Sequence, residues 1–228
     1  MASPVSQEIV FDVTFPMLTN TSLLLDGLRA FIEEQNLNFT EMDPDIYIAN
    51  GYKWFYSLRG LGLLHVKKDI QDMIYPVVIS TTNSLTASFE SRFRWLGCKD
   101  YVPWITMKNA LEFREMIGDK EIIEYIHNMA IQGGKRVAEM WWGEGHENGK
   151  LYIDDEDYIG CLVNILMPPN NLTSWSNTFA RLYNIWIRVD NDVYGDVVAR
   201  FSTQIFHQLD DFEQAAYTVL DIIQNAST

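Results

Sequence analysis

The stretch Asn50-Gly-Tyr-Lys-Trp-Phe-Tyr-Ser-Leu-Arg-Gly60 places a lysine, Lys53, among aromatic residues immediately after a predicted strand. The run 45–49 before it and the run 60–66 after it have the composition of two strands, so the lysine is expected on the loop that joins them. A lysine on an exposed loop is usually a solvated charge. A lysine that is partly desolvated beside aromatic rings gains nucleophilic character. The sequence around Lys53 leaves both interpretations open.

Predicted helices and strands alternate along the chain. Strands are predicted at 8–15, 45–49, 60–66, 77–80, 159–167, 185–189 and 197–202. Helices are predicted at 21–36, 67–75, 107–117, 119–140, 174–182 and 208–224. This order predicts an α/β protein whose C-terminal unit has helices over a small antiparallel sheet. The break at Pro103 and Trp104 predicts two domains, 1–105 and 106–228.

The composition disfavours several partners. Lys and Arg total 17 against 31 Asp and Glu, which gives a formal net charge of −14. Such a chain repels phosphate backbones and acidic membrane surfaces, and no apolar run approaches the length of a membrane span, so neither nucleic acid nor membrane is an expected partner. Cys98 and Cys161 lack metal-ligand spacing, so no metal site is predicted. With no secretory leader evident, a cytoplasmic location is expected.

Two cationic residues are the main candidates for chemistry. The common hydrolase, nucleotide-binding and zinc motifs are absent from the sequence, and the Gly133-Gly134 pair is interpreted as structural because no strand precedes it. Arg200 lies on the alternating strand 197–202, where a guanidinium can present its fork to a carboxylate. An amine nucleophile such as Lys53 together with a carboxylate anchor is the minimum set for amino-acid chemistry through a Schiff base.

Four segments, in this order, resemble the class V aminotransferase superfamily. They are IANGYKWFYSLRGLGLLHV (48–66), KKDIQDMIYPVVIS (67–80), FRWLGCKDYVPWITMKNALEFREMIG (93–118) and VVARFSTQIFHQLDDFE (197–213). The resemblance is strongest to the isopenicillin N epimerase-like branch, which includes sulfoxide lyases of ergothioneine synthesis and related cysteine-metabolising enzymes.

The resemblance implies a role for each of four residues. Lys53 would be the catalytic lysine that links covalently to pyridoxal 5′-phosphate, and Arg200 would bind the substrate α-carboxylate. Tyr52 and Cys98 would contact the cofactor. Family members usually have a histidine where Tyr52 stands and a threonine, which reaches the cofactor phosphate of the partner subunit, where Cys98 stands.

The resemblance also implies a fold and a set of alternative functions. Residues 1–105 would be a remnant of the cofactor-binding large domain of pyridoxal-phosphate fold type I, and 106–228 its smaller α+β domain. The activity would be that of a lyase, epimerase or transaminase on a small amino acid, in a homodimer. Because no family-like N-terminal half precedes Lys53, the chain is expected to be a truncated relative with impaired activity. The alternative is a non-catalytic remnant that pairs with a full-length paralogue. An unrelated α/β binding protein is the third interpretation.

Overall fold

The computed structural model describes residues 43–81, 84, 86–95, 97–143, 151–153, 155–169, 185–191 and 195–226. The strand predicted at 8–15 and the helices predicted at 21–36 and 174–182 lie outside this part of the chain. The chain divides into two compact units, Met1–Lys120 and Glu121–Thr228, which are described separately below. The predicted domain division at residue 105 stays a prediction.

The described elements of the first unit are two strands followed by four helices. They are β1 (Ile46–Asn50), β2 (Gly62–Val66), a 3-10 helix (Lys68–Met73), α1 (Phe89–Arg94), α2 (Val102–Ile105) and α3 (Met107–Ile117). The two strands pair antiparallel, with Ile46 opposite Val66 and Asn50 opposite Gly62. The predicted pair of strands around the lysine loop is therefore confirmed.

The lysine loop packs on α3. One apolar cluster joins the loop and β2 to this helix, and its buried members are Phe55, Leu61, Leu63, Met107 and Ala110. A second cluster, around Val66 and Phe89, packs α1 against the far end of β2. Burial of the loop's own side chains thus ties it to a helix more than 50 residues further along the chain.

The bounds of α3 agree with the prediction. Gly118 ends the helix at φ +106°, a conformation that glycine adopts without steric cost, and its N–H donates to the Arg114 carbonyl at 2.8 Å. Asp119 begins α4 (Asp119–Trp142), and its carboxylate forms an ion pair with Arg114.

The described part of the second unit is a three-stranded antiparallel sheet with helices on one face. Its elements are α4, which begins at the end of the first unit, a 3-10 helix (Glu156–Tyr158), β3 (Leu162–Leu166), β4 (Arg188–Asn191), β5 (Val197–Ser202) and α5 (Leu209–Ala226). The strand order is β3-β5-β4. The core lies between this sheet and the helices α4 and α5. The predicted helices over a small antiparallel sheet are confirmed.

Gly133 and Gly134 allow α4 to pack very closely against its neighbours. A Cβ atom on Gly133 would lie 2.5 Å from the Phe212 ring on α5, and one on Gly134 would lie 2.6 Å from Val163 Cγ2 on β3. Side-chain atoms do not approach this closely without displacement. The glycine pair is therefore a packing feature, as its structural interpretation predicted.

Four predicted elements differ from the structure. The helix predicted at 67–75 is the shorter 3-10 helix 68–73, and the strands predicted at 159–167 and 185–189 each begin three residues later, at Leu162 and Arg188. The strand predicted at 77–80 is wrong. Val77 and Ile79 are 101% and 85% exposed, and the segment pairs with no described strand. An apolar β-branched run indicates a strand only if a neighbouring strand supplies its hydrogen bonds.

None of the described helices has both the length and the apolar character required to cross a membrane.

Candidate active site

The turn Gly51–Ser57, called the lysine turn below, has a fixed backbone and an exposed lysine. The N–H of Tyr56 donates to the Lys53 carbonyl at 3.2 Å, and the N–H of Ser57 donates to the Gly51 carbonyl at 3.1 Å. The N–H of Gly51 donates to the Leu61 carbonyl, which continues the strand pairing into the turn. The Lys53 side chain itself is exposed. Its amine is thus presented to solvent from a backbone held at both ends.

Buried side chains anchor the lysine turn on both sides of Tyr56. Phe55 lies in the apolar cluster, and the buried Ser57 hydroxyl donates to the Pro103 carbonyl at 3.3 Å. A Cβ on Gly51 would lie 2.5 Å from the Leu61 side chain, so the chain can pass here only as glycine or with displacement of Leu61. These contacts set the direction in which Lys53 projects.

Tyr56 holds a backbone conformation that bulky residues rarely adopt. Its φ is +63°, in the left-handed region. Its ring packs edge-to-face on Phe113 at 5.6 Å and lies 5.6 Å from the guanidinium carbon of Arg114. Such a conformation costs about 1–3 kcal/mol and persists where the surroundings enforce it, commonly at functional sites. Sequence reasoning missed this residue, because no local pattern marks a tyrosine at positive φ.

Arg114 on α3 contacts the backbone of the lysine turn directly. It is 2% exposed, and its Nη1 donates to the Trp54 carbonyl at 2.6 Å. Sequence reasoning missed this residue too. A signal was present, since Met107, Ala110 and Arg114 follow the 3 and 4 residue spacing of one helix face, and all three are buried.

Tyr52 and Cys98 lie in the same unit as Lys53. Tyr52 is half-buried and directly precedes the lysine, whereas Cys98 is exposed. Cys98 follows Gly97, which has φ +96° and whose carbonyl accepts a hydrogen bond from the Tyr101 hydroxyl at 2.8 Å. The predicted contacts of Tyr52 and Cys98 with the cofactor stay predictions.

Arg200 lies on the sheet face opposite the core of the second unit. In the strand register it is opposite Asn164 on β3 and Arg188 on β4. Arg188 Nε donates to Asp190 at 2.6 Å. The pKa of Asp190 lies below its usual range, chiefly because of this hydrogen bond from Arg188, and the positive charge of Arg200 contributes further.

Two arginines and one aspartate lie on this face among the described residues, because Arg188, Asp190 and Arg200 share it in the strand register. A guanidinium in such a place can bind an external carboxylate. Arg188 was missed by sequence reasoning, although alternation along its strand could have placed it on the polar face. Lys53 and Arg200 belong to different units, so their convergence on one substrate stays a prediction.

Within the described residues, no group of three or more His, Cys, Asp or Glu side chains could hold a metal ion.

Comparison with known protein families assigns the region around Lys53 to one family. The family model described as Aminotransferase class-V matches residues 18–141, more than half of the chain. The chain belongs to the class-V aminotransferase family. The match includes the lysine turn, α3 and nearly all of α4.

Two curated relatives agree with the branch that the sequence motifs indicate. The L-cysteine desulfhydrase-like protein lolT1 of Epichloe uncinata is 24% identical over 84% of this chain and 52% of its own length. The isopenicillin N epimerase of Amycolatopsis lactamdurans is 24% identical over 45% of this chain and 29% of its own. The chain spans about half the length of the desulfhydrase-like relative.

Solved structures confirm the predicted fold class. The cysteine desulfurase of Thermococcus onnurineus NA1 matches with a TM-score of 0.57 at 16% identity, over 83% of this chain and 49% of that one. A mutant of the cystine C–S lyase C-DES, with glycine covalently linked to its pyridoxal-phosphate cofactor, matches with a TM-score of 0.54 at 17% identity, over 81% and 48%. The chain therefore has the mixed helix-and-sheet fold of type I pyridoxal-phosphate enzymes over about half of their length.

Pyridoxal phosphate is the cofactor of this family, and the lysine turn fits its aldehyde end. An aldehyde is captured by an accessible primary amine. Lys53 provides one, exposed to solvent and projecting from a backbone whose direction is fixed by the contacts of Phe55 and Ser57.

Proposed function

We propose that this chain carries the cofactor-linking lysine and the substrate anchor of a pyridoxal-phosphate enzyme that acts on a small amino acid. The observation that carries the proposal is the exposed Lys53 amine on a backbone turn held by hydrogen bonds and buried side chains. Cysteine is the favoured substrate and C–S bond cleavage the favoured reaction, because similar proteins are described as L-cysteine desulfhydrase-like and as a cystine C–S lyase.

Lys53 would hold the cofactor covalently through its amine. The bound cofactor would supply a ring that withdraws electrons from the substrate Cα. The amine of Lys53 would accept a proton from Cα and return it. Tyr52 and Cys98 would lie beside the cofactor, in the positions where the family has histidine and threonine.

Arg200 would orient the substrate by its α-carboxylate. Arg188 directly engages Asp190, the carboxylate of its own strand. Within the described residues, the side chain of Arg200 on the same sheet face forms no hydrogen bond or ion pair, and its guanidinium would bind an external carboxylate through two parallel hydrogen bonds. Fixing the carboxylate would restrict rotation of the bound amino acid.

Covalent trapping tests the role of Lys53. The purified chain is mixed with pyridoxal 5′-phosphate, reduced with borohydride and mapped by mass spectrometry. We expect the adduct at Lys53, its loss in Lys53→Ala, and its retention in Lys68→Ala, a matched change at another exposed lysine of the first unit. Equal labelling of several exposed lysines, with no preference for Lys53, would reject the proposed role.

A second candidate function is supported by an exposed apolar segment, Met73–Ile79. Met73, Val77 and Ile79 are exposed although apolar, and large exposed apolar patches are typical of protein interfaces. A non-catalytic chain that pairs with a full-length relative, or with a second copy of itself, would use such a surface. Sedimentation of the chain alone and mixed with a full-length relative tests this function. If this chain sediments as a monomer both alone and in the mixture, the pairing function is excluded.

A further inference from the structure

Two arginines of the first unit are buried among its described residues, Arg92 and Arg114, and each contacts a different segment. Arg92 on α1 is also 2% exposed. Its Nη2 donates to the Gln71 carbonyl at 2.7 Å, and its guanidinium lies 4.4 Å from the Tyr75 ring centroid. Arg92 thus holds the segment that follows β2. Arg114 makes the same kinds of contact, but with the lysine turn.

Arg114 contacts Trp54 and Tyr56, two half-buried residues of the lysine turn that come after Lys53. One arm donates to the Trp54 carbonyl at 2.6 Å, and the guanidinium lies near the ring of Tyr56. The Tyr56 N–H in turn donates to the Lys53 carbonyl. Moving the guanidinium would therefore release the peptide unit next to Lys53 and the aromatic ring that keeps Tyr56 at positive φ.

Asp119 fixes the other side of the guanidinium. Its carboxylate pairs with Arg114 Nε and is itself largely buried. A buried guanidinium has a large desolvation penalty unless its partners are in good geometry, so it adopts few alternative positions. The planar fork lets one side chain bind Asp119 and the Trp54 carbonyl at the same time, which a lysine ammonium of the same charge could not reproduce in that geometry.

We propose that Arg114 is a positioning residue for Lys53. It links the lysine turn to Asp119, at the junction of α3 and α4, and thereby sets the direction of the Lys53 amine. Its consequence for cofactor capture rests on the proposed function of Lys53. Its effect on the backbone of the turn does not. Arg114 would act through Trp54 and Tyr56 and would touch neither cofactor nor substrate.

The test compares the full chain with three variants, Arg114→Met, Arg114→Lys and Arg92→Met. The first removes the fork, the second keeps the charge without the fork, and the third removes an equally buried arginine that does not contact the lysine turn. Two quantities are measured. One is the hydrogen-exchange rate of the Tyr56 amide, and the other is the rate at which pyridoxal 5′-phosphate and borohydride label Lys53.

We expect Arg114→Met to accelerate exchange of the Tyr56 amide by about tenfold, because a charged hydrogen bond to the turn is lost. Labelling of Lys53 should slow by roughly 10-fold to 100-fold, as expected for a displaced reactive group. Arg114→Lys should fold and fall between these values and the wild type. Arg92→Met should leave both quantities within about twofold of the wild type, since it does not contact the turn.

Wild-type exchange and labelling in both Arg114 variants would overturn the proposal, and so would equal effects of Arg92→Met and Arg114→Met. The two hypotheses fail differently. If the wild-type chain forms no adduct at Lys53, the proposed function fails, whereas exchange of the Tyr56 amide still decides whether Arg114 positions the turn.

Discussion

Arg200 is the residue whose chemistry is most directly testable by substitution. We expect Arg200→Lys to weaken binding of L-cysteine to the cofactor-loaded protein by about 10-fold to 100-fold, because an ammonium replaces a two-bond contact with a single point charge. The change in cofactor absorbance on adding ligand measures this affinity. Cysteamine, which has the amine and thiol but no carboxylate, is the control. An equal loss for cysteamine would contradict a carboxylate-binding role.

We expect His65 to make the stability of the folded chain depend on pH. It lies on β2 and is 3% exposed, and burial lowers its pKa, although nearby Asp43 acts in the opposite direction. A lowered pKa means that the unfolded chain binds the proton more readily. Stability is therefore fully present above about pH 6.5, the ordinary histidine pKa, and is lost as pH falls through the folded-state pKa.

Replacing His65 by an uncharged residue tests this dependence. Urea unfolding followed by tryptophan fluorescence at pH 7.5, 6.5 and 5.5 should show a decline of at most about 1.4 kcal/mol per pH unit from this residue, one proton being taken up. His65→Gln should flatten the decline. The slope should not vanish, since burial also lowers the pKa of His207 in the second unit. An unchanged slope in His65→Gln would contradict the assignment.

Among the elements, those with local end signals were predictable from the sequence. The helix α3 has a glycine at its end, and β5 has a regular alternation of buried and exposed residues, so both were predicted with the correct bounds. The segment 77–80 was predicted wrongly because its composition suits a strand but carries no information about a pairing partner. Pairing is a tertiary property.

In the candidate site, too, only residues within a local sequence pattern were predictable. Lys53 was found because two local strand patterns flank it. Arg114 was not, because its contact with Trp54 joins residues 60 positions apart. Tyr56 was not, because its strain arises from side chains packed against it from α3. Local pattern thus points to the candidate lysine, and only the tertiary structure identifies the residues that hold its turn.

The glycine pair in α4 supports a prediction at the scale of packed elements. Alanine normally stabilises a helix interior by about 1 kcal/mol relative to glycine. We expect Gly133→Ala to have the opposite effect and to destabilise the second unit by about 1–3 kcal/mol, because the new methyl group would overlap the Phe212 ring. Urea unfolding measures the difference.

The matched control for Gly133→Ala is Asn128→Ala, an exposed position on the same helix. It should leave the free energy of unfolding unchanged or raise it by a few tenths of a kcal/mol, since alanine has the higher helix propensity. A stabilised Gly133→Ala variant would show that α4 and α5 can separate at no cost, contrary to the close contact between them.

The whole molecule presents a negative field to its proposed cofactor. The formal net charge is −14, and the phosphate of pyridoxal phosphate is an anion. Raising the ionic strength from about 0.01 M to 0.15 M shortens the Debye length from about 30 Å to about 8 Å, which screens this long-range repulsion. The encounter with Lys53 should therefore become faster with salt, by about 3-fold to 10-fold.

Pyridoxal, which has the same aldehyde without the phosphate, separates the net field from local contacts. Labelling of Lys53 by pyridoxal should change little with salt, whereas labelling by pyridoxal phosphate should accelerate. Both rates are read from the borohydride-reduced adduct at Lys53. A rate that falls with salt for the phosphate form alone would contradict dominance of the net charge, because it would require cations close to Lys53 that attract the phosphate more strongly than the rest of the chain repels it.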